Sequence, residues 1–411
     1  MIKIGELLIL VAIMLPLGAA LSVIPAARRD VRTRDYLVLA VVALTFAFTL
    51  LIAFRQQGGE LRIGSSAVLA LHFSASGFQA LFAAVCALLW FITTLYSFEY
   101  FKGKGKLNRY WLLNLISLGA TLGVFYSADF RTTIIFYEIM SFASYGMVAH
   151  EESSHALRAA STYLALAVIS GLALLLGMLL LHIQTGTLAF GELHEITSGL
   201  SDRTMLYLPG VLLLIGFGIK AGVYPLHFWL PKAHPVAPAP ASALLSGILT
   251  KTGIFGIIIV CTNLFPGDPI WGFFLLLPAA IGMIWGAILA ICAEDIKTTL
   301  ACSSVSQLSF ILCGIALISL QGDFSVAASG IVLQMLNHSL LKLILFLAAG
   351  IIYINCHSLN YSDISGFGRD KPLFSFIFIC GALGLAAIPF FSGYISKTLL
   401  LSALTSLFCV L

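Results

Sequence analysis

The sequence predicts an all-α, polytopic integral membrane protein with about twelve transmembrane helices. Apolar residues make up 60% of the 411 residues and charged residues only 10%, and the mean hydropathy is +1.03. A soluble domain of this size would need far more charge on its surface. Hydrophobic runs of about twenty residues, each long enough to cross roughly 30 Å of hydrocarbon, recur along the whole chain. We therefore expect a single transmembrane domain over residues 1–411.

The hydrophobic runs place the spans one by one. The first run lacks a small-residue cleavage site, so it is interpreted as a span and not as a removed signal peptide. The predicted spans are 4–26, 36–54, 78–101, 110–128, 131–149, 159–183, 206–224, 241–263, 270–293, 298–320, 324–354 and 372 to about the end. They group into helices one to three (1–105), helices four to eight (110–263) and helices nine to twelve (270–411).

The distribution of lysine and arginine predicts the orientation. With the N-terminus on the outer side, thirteen of the 22 cations fall in inner loops. Five fall on the outer side, namely Lys3, Arg55, Arg62, Arg131 and Arg203. Loops on the cytoplasmic side carry an excess of lysine and arginine, so the N-terminus is predicted to be outside. The four remaining cations lie inside predicted spans and are Lys220, Lys251, Lys342 and Lys397.

Two spans are predicted to be broken helices. Prolines follow Lys220 in PLHFWLPKAHPVAPAPAS, beginning with Pro225 and Pro231, and Pro389 and Gly393 precede Lys397. A continuous helix does not accommodate so many prolines. Broken backbone persists in membranes only where protein buries it or it lines a wet cavity. Because the two breaks lie five spans apart, they indicate an inverted repeat, and paired interruptions of this kind point to the transport site.

The four lysines within spans are the main functional signal. A charge at the bilayer midplane costs at least about 2.5–3.5 kcal/mol. Three explanations remain open: snorkelling to an interface, chiefly for Lys397; structural ion pairing; and lysines that are neutral part of the time and carry protons. Glu138 is the one carboxylate deep in a span, and one acid cannot neutralise four lysines. Glu138 beside Lys220 forms either a proton switch or a static salt bridge.

Three histidines accompany these lysines. His338 and Lys342 are four residues apart and share one helical face, which favours a proton relay. His227 and His234 flank the first break, with Lys232 between them, and either line an inner proton entry or bond freed carbonyl groups. Asp295 and Lys297 open the tenth span, and we expect them to cap and anchor that helix.

Other chemistry is not expected. The eight cysteines are dispersed, so the sequence predicts no metal ligand set and no iron–sulfur cluster. Phosphate-binding loops, dinucleotide fingerprints and nucleophile elbows are not visible. We expect no cofactor and no nucleic-acid partner, and a lipid bilayer as the surrounding medium.

Several motifs resemble one known family: the antiporter-like membrane subunits of respiratory complex I, of related hydrogenases and of multisubunit sodium/proton antiporters. The motifs are FYEIMSFASYGMV, GFGIKAGVYPLHFWLPKAHPVAPAPASALLSGILTKTG, EDIKTTLACSSVSQLSF, NHSLLKLILFLAAG and IPFFSGYISK. The form HPVAPAPASALLSG is most similar to the large antiporter-like subunit of formate hydrogenlyase and other hydrogen-linked complexes. By resemblance, Glu138, Lys220, Lys251, His338, Lys342 and Lys397 form a hydrated proton path along the midplane.

The resemblance also implies partners, and the sequence departs from the family pattern at two points. It implies other membrane subunits and a peripheral redox arm, with protons, or alternatively sodium ions, as the cargo. Lys232 stands where many relatives have an acidic residue. The resemblance implies two inverted five-helix repeats, but the chain stops inside an apolar run where relatives continue with about two further helices. We therefore expect either an incomplete second repeat or a truncated sequence. Three other classes remain open: a sodium/proton antiporter subunit without a redox partner, a stand-alone solute carrier, and a structural scaffold.

Overall fold

A computed structural model describes residues 4–55, 59–64, 70–200, 202–321 and 325–410, with side chains described up to 405 and not at 321 or 325. Lys3, one of the predicted outer cations, lies outside these residues. Helices dominate, and their order is α1 (Ile4–Arg29), α2 (Val31–Arg55), α3 (Gly77–Tyr100), α4 (Leu107–Phe125), α5 (Phe130–Val148), α6 (Ser154–Thr185), α7 (Phe190–Ser198), α8 (Thr204–Ala221), α9 (Leu230–Val236), α10 (Ala239–Leu244), α11 (Thr250–Leu264), α12 (Pro269–Ile291), α13 (Ile296–Gln321), α14 (Ser325–Cys356), α15 (Tyr361–Ile364), α16 (Pro372–Ala386) and α17 (Ser392–Val410).

The helices match the predicted spans closely. By length and composition, nine helices among the described residues are able to cross a membrane. The remaining three predicted spans coincide with α4, α5 and the interrupted pair α16–α17. Lipid-facing helices expose apolar side chains: α12, for example, exposes Leu277 at 67% and Ile284 at 66%. The prediction of an all-α polytopic membrane protein is confirmed.

Two short features on the predicted outer side were not predicted. The antiparallel strands β1 (Glu60–Ile63) and β2 (Leu71–Ser74) pair between α2 and α3. The nine-residue helix α7 lies between α6 and α8 and packs against α11. Both are too short and too polar to give the long apolar signal on which the span prediction rests.

The first helix break lies between α8 and α9. Gly222 ends α8 with a φ of +70°, a left-handed conformation that glycine adopts without steric penalty. The indole nitrogen of Trp229 then donates to the freed carbonyl of Ile219 at 2.6 Å. Pro225 lies in the non-helical segment, whereas Pro231 occupies the first turn of α9. Pro231 therefore starts the second helix and does not belong to the break itself.

The second break, between α16 and α17, corrects two predictions. Pro389 lies in it, but Gly393 lies in the first turn of α17. Broken backbone was expected to be buried by protein or to line a wet cavity, yet Phe390 is fully exposed and Ile388 is 44% exposed in this chain. These apolar side chains lack a covering element among the described residues.

Candidate functional site

Lys220 lies in the last turn of α8, immediately before the first break, and is 3% exposed. Its Nζ atom donates to three hydroxyl groups: Tyr163 Oη at 2.5 Å, and Ser141 and Ser144 Oγ at 3.3 Å each. Tyr163 and Ser144 also bond each other at 2.6 Å. Hydroxyl groups donate and accept, so this cage accommodates the lysine with or without its proton.

Glu138 does not form the static salt bridge that the sequence left open. Its carboxylate packs against Gly171 of α6, and its Oε1 atom is buried without a hydrogen-bond partner. Among the described residues, the ion pairs within 4.0 Å lie elsewhere and include neither Glu138 nor Lys220. An unpaired buried carboxylate oxygen is costly, and water or a proton is the ordinary way to satisfy it.

Lys251 and His338 form a direct pair between α11 and α14. Lys251 Nζ lies 2.6 Å from His338 Nδ1, and the two residues are 0% and 1% exposed. Lys251 Nζ also donates to the Ser246 carbonyl oxygen at 2.5 Å. Ser246 belongs to a π-helical turn, Leu245–Leu249, and such turns leave a carbonyl free of its usual helical partner.

The Lys251–His338 pair has room for only one positive charge. At 2.6 Å, two unit charges would repel by on the order of 6 kcal/mol at an effective dielectric constant of about 20. One nitrogen must also offer a lone pair for the bond to form. The pair therefore carries at most one positive charge.

Lys342 continues this cluster one helical turn after His338. It is fully buried, and its Nζ atom donates to the Leu300 carbonyl oxygen at 2.6 Å and to Ser303 Oγ at 2.5 Å. Ser304 Oγ donates to the same Leu300 oxygen and bonds Ser246 Oγ at 2.9 Å. Hydrogen bonds through α13 thus connect the surroundings of Lys251 and Lys342.

Lys397 lies apart from this cluster. Its side chain is half-buried, and Nζ donates to the Leu385 carbonyl oxygen at 3.0 Å, across the second break. Neighbouring Ser396 donates to Gln334 Oε1 at 2.6 Å, and Gln334 donates to Gln307 Oε1 at 2.9 Å. These amides were not singled out from the sequence, because neutral side chains within a span give no charge signal.

The predicted entry residues separate into buried and exposed groups. Lys232 is exposed, His227 is 2% exposed, and His234 is fully buried and stacks on Phe346 at 4.7 Å. Both ring nitrogens of His234 lack a hydrogen-bond partner. The structure therefore does not bring Lys232 together with the buried histidines.

Lys297 is a buried lysine that the sequence analysis interpreted as a loop anchor. It is 3% exposed, and its Nζ atom donates to the Ala237 carbonyl oxygen at 2.7 Å. Asp295 caps α13 as expected, accepting from the Thr298 backbone N–H at 2.9 Å. Lys297 anchors the connection between α9 and α10, also as expected. The burial of Lys297 was not expected, and it extends the row of buried lysines toward His234.

These observations define the class: a polytopic α-helical membrane protein with lysines and a histidine buried in hydrogen-bonded contact between its helices. Residues 127–410 match the family described as "NADH:quinone oxidoreductase/Mrp antiporter, TM". The chain belongs to this family.

Similar proteins come from several kinds of complex. Hydrogenase-4 component B of Escherichia coli (strain K12) is 32% identical over 333 residues, which cover 78% of this chain and 49% of that protein. NAD(P)H-quinone oxidoreductase chain 4 2 of Microcystis aeruginosa is 31% identical, covering 79% and 58%. A Na(+)/H(+) antiporter subunit of Alkalihalophilus pseudofirmus is 26% identical, covering 79% and 65%. The chain thus spans about half to two thirds of the length of these relatives.

Two solved structures share the fold. The Mrp complex from Dietzia sp. DQ12-45-1b contains a chain with a TM-score of 0.87 and 25% identity, covering 98% of this chain and 75% of that one. The archaeal membrane-bound sulfane sulfur reductase contains one with a TM-score of 0.86 and 22% identity, covering 96% and 81%.

Proposed function

We propose that this chain is the proton-translocating, antiporter-like subunit of a complex I-related membrane oxidoreductase of the hydrogenase or quinone-reductase type. The observation that carries the proposal is the Lys251–His338 pair, with Lys342 one turn away and Lys220 in its hydroxyl cage. Such a row holds and passes protons, whereas a solute carrier needs a pocket whose groups bind a substrate. Glu138 has a buried oxygen without a hydrogen-bond partner. It is the group whose charge would respond to a change of charge nearby.

The mechanism follows from the electrostatics of the row. Electron transfer in a peripheral redox arm would move charge near one end of it. A charge arriving near Glu138 would change how strongly Lys220 holds its proton. The proton would then pass toward Lys251 and His338, whose pairing excludes a second charge, and on to Lys342 and Lys397. His227 and His234, with Lys232 at the surface, are the proposed inner entry.

The proposal includes location and orientation. The chain would sit in the cell (inner) membrane with its N-terminus outside, because this orientation places most loop cations on the cytoplasmic side. Other membrane subunits would continue the path. The chain itself would hold no redox centre.

The test separates proton carriage by Lys220 from simple charge balance. Lys220→Met combined with Glu138→Gln leaves two neutral groups and no unmatched buried charge, so the complex is expected to assemble. If Lys220 carries protons, the double variant loses proton uptake into vesicles while the complex still assembles. Lys220→Arg also loses it, because arginine stays protonated at any working pH. Normal uptake by an assembled double variant would contradict the proposal.

The second candidate is a subunit of a multisubunit sodium/proton antiporter without a redox partner. It is favoured by the likeness to the Mrp complex over 98% of this chain. Under this reading, a sodium gradient alone drives proton movement in vesicles, with no electron donor present. Under the oxidoreductase reading, proton movement requires turnover of the redox partner. Mass spectrometry of the co-purifying subunits gives an independent answer.

A further inference from the structure

Gly171 of α6 lies directly against the carboxylate of Glu138. A Cβ atom at position 171 would be 2.7 Å from Glu138 Oε1, 2.8 Å from Cδ and 2.9 Å from Oε2. Real Cβ atoms do not come so close to other atoms, so the carboxylate occupies space that any other residue at this position would fill. We call this space the Gly171 niche. A glycine inside a helix costs up to about 1 kcal/mol relative to alanine, and here it makes room for an ionisable group.

Hydrogen bonds fix the two helices that form the niche. Tyr137 Oη of α5 and Ser170 Oγ of α6 both donate to the Gly216 carbonyl oxygen of α8, at 3.1 and 2.7 Å. These two residues immediately precede Glu138 and Gly171 in the chain. Because α5 and α6 are both tied to α8 at this level, they cannot simply move apart. If the niche were filled, the carboxylate would move, since it ends a flexible side chain.

The carboxylate in the niche lies near Lys220 without pairing with it. Among the described residues, Lys220 is the charged group that acts on Glu138, and the phenols of Tyr137 and Tyr163 are the other ionisable groups that interact with it. The Lys220 and Glu138 side chains nevertheless form no ion pair within 4.0 Å. The niche is therefore the place of the unpaired carboxylate.

A filled niche would drive the carboxylate toward Lys220. The neighbours of Glu138 on the outer face of α5 are Ile135 and Ile139, which are apolar and 38% and 37% exposed. A charge among such side chains in a membrane is costly. The ammonium of Lys220 attracts the carboxylate, so movement in that direction lowers the energy.

We propose that Gly171 is a positioning residue: its missing side chain lets the Glu138 carboxylate rest short of an ion pair with Lys220, which leaves the lysine able to give up its proton. The inference rests on the proposed function and adds the residue that sets the separation of the two groups. The alternative is that Gly171 serves helix packing alone.

Infrared spectroscopy of the assembled complex tests the position of the carboxylate. The Glu138 carboxyl band is assigned by its loss in Glu138→Gln. We expect the band to shift in Gly171→Ala, because an ammonium neighbour changes the frequency of a carboxyl group. Gly177→Ala is the control on the same helix: a Cβ atom there would contact Leu213 and Pro209 at 3.0 Å and no ionisable group. An unshifted band in Gly171→Ala, or an equal shift in Gly177→Ala, would overturn the proposal.

A shorter side chain at position 138 provides a second check. Aspartate is one methylene shorter than glutamate, so its carboxylate does not reach an added methyl group at position 171. Gly171→Ala should therefore leave the carboxyl band of a Glu138→Asp complex where it was. A shift as large as that seen with glutamate would show that Gly171 acts through the helices and not through contact with the carboxylate, and would overturn the proposal.

The pH dependence of proton uptake provides the functional readout. With the carboxylate nearer, Lys220 holds its proton more tightly, so the alkaline limb of the uptake profile should move up by about one pH unit or more in Gly171→Ala. Gly177→Ala should leave the limb in place. A limb that stayed or moved down in Gly171→Ala would overturn the proposal. The infrared band does not depend on uptake, and the Lys220 variants judge the proposed function, so the two failures are distinguishable.

Discussion

The part of the chain up to the end of α8 and the part from α9 onward, called here the first and the second half, hold their lysines in different ways. Lys220 in the first half is surrounded by hydroxyl groups, with Glu138 on the neighbouring helix α5. Lys251 and Lys342 in the second half contact an imidazole, backbone carbonyl oxygens and the Ser303 hydroxyl, without a carboxylate among their described partners. The first arrangement responds to a nearby negative charge. The second limits how many positive charges coexist, because its groups repel one another.

The two helix breaks also differ from each other. In the first, a glycine takes the left-handed conformation and Trp229 satisfies a freed carbonyl group inside the protein. In the second, Ala387 and Phe390 have φ angles of +61° and +75°, which non-glycine residues adopt at a cost of about 1 kcal/mol or more each. Phe390 is also fully exposed. The first break is stabilised within this chain, whereas the second depends on whatever covers it in the membrane.

The largest effect is expected at Lys251. Lys251→Met removes the ionisable partner of His338, so under the proposed function proton uptake should fall to background although the complex assembles. Lys102→Met is the control, because Lys102 is exposed and pairs only with Glu99 at the surface. Uptake into vesicles, normalised to subunit content, is the measurement. Undiminished uptake in the Lys251→Met complex would remove the distinction between the two halves.

The contact between α8 and α11, where the two halves meet, should tolerate no added methyl group. A Cβ atom at Gly253 would lie 2.5 Å from the Ala221 backbone nitrogen and closer still to the Phe217 carbonyl oxygen, so α11 and α8 would have to separate. Overpacking of this kind costs about 1–3 kcal/mol. Gly253→Ala should lower the thermal denaturation midpoint of the purified complex. Gly18→Ala, with nothing within 4 Å of the new Cβ atom, should not lower it, and equal effects would contradict the packing argument.

The hydroxyl cage around Lys220 should matter through Tyr163. Tyr163→Phe removes the hydroxyl that contacts Lys220 at 2.5 Å, and a hydrogen bond to a charged group contributes about 1.5–3 kcal/mol. We expect proton uptake to fall roughly tenfold or more. Tyr137→Phe is the matched control, since its hydroxyl donates to the Gly216 carbonyl oxygen at 3.1 Å instead. A similar loss in both variants would indicate a general packing effect.

The sequence predicted the helices well because long apolar runs require burial in lipid and prolines interrupt helical hydrogen bonding. The long spans and the first break follow from solvation and from the missing proline N–H group. The β1–β2 hairpin, α7 and the π-helical turn did not follow, because tertiary contacts determine them and no long apolar pattern marks them.

The ionisable residues of the site were predicted from the sequence, but their hydrogen-bond partners were not. Buried lysines and His338 are visible as ionisable residues in apolar runs. The carbonyl groups of Ser246, Leu300 and Leu385 accept from these lysines, and a backbone oxygen has no sequence signature. The burial of Lys297 was not predicted, because a lysine in the first turn of a helix normally reaches solvent. Here α9 packs over α13 and buries it.

The smallest effect is expected at a surface ion pair, that of Glu152 with Lys106 and Arg109. Hydrogen bonds from Lys106 and Arg109 lower the pKa of Glu152 from 4.5 to about 2. Because the folded-state pKa is depressed, this carboxylate stabilises the fold above about pH 4.5, and the contribution disappears as the pH falls toward 2. Exposed ion pairs contribute little, so Glu152→Gln should lower the thermal midpoint only slightly at neutral pH. The difference from the unaltered protein should vanish in acid. A difference that persisted at about pH 2 would show that Glu152 acts through packing and not through its charge.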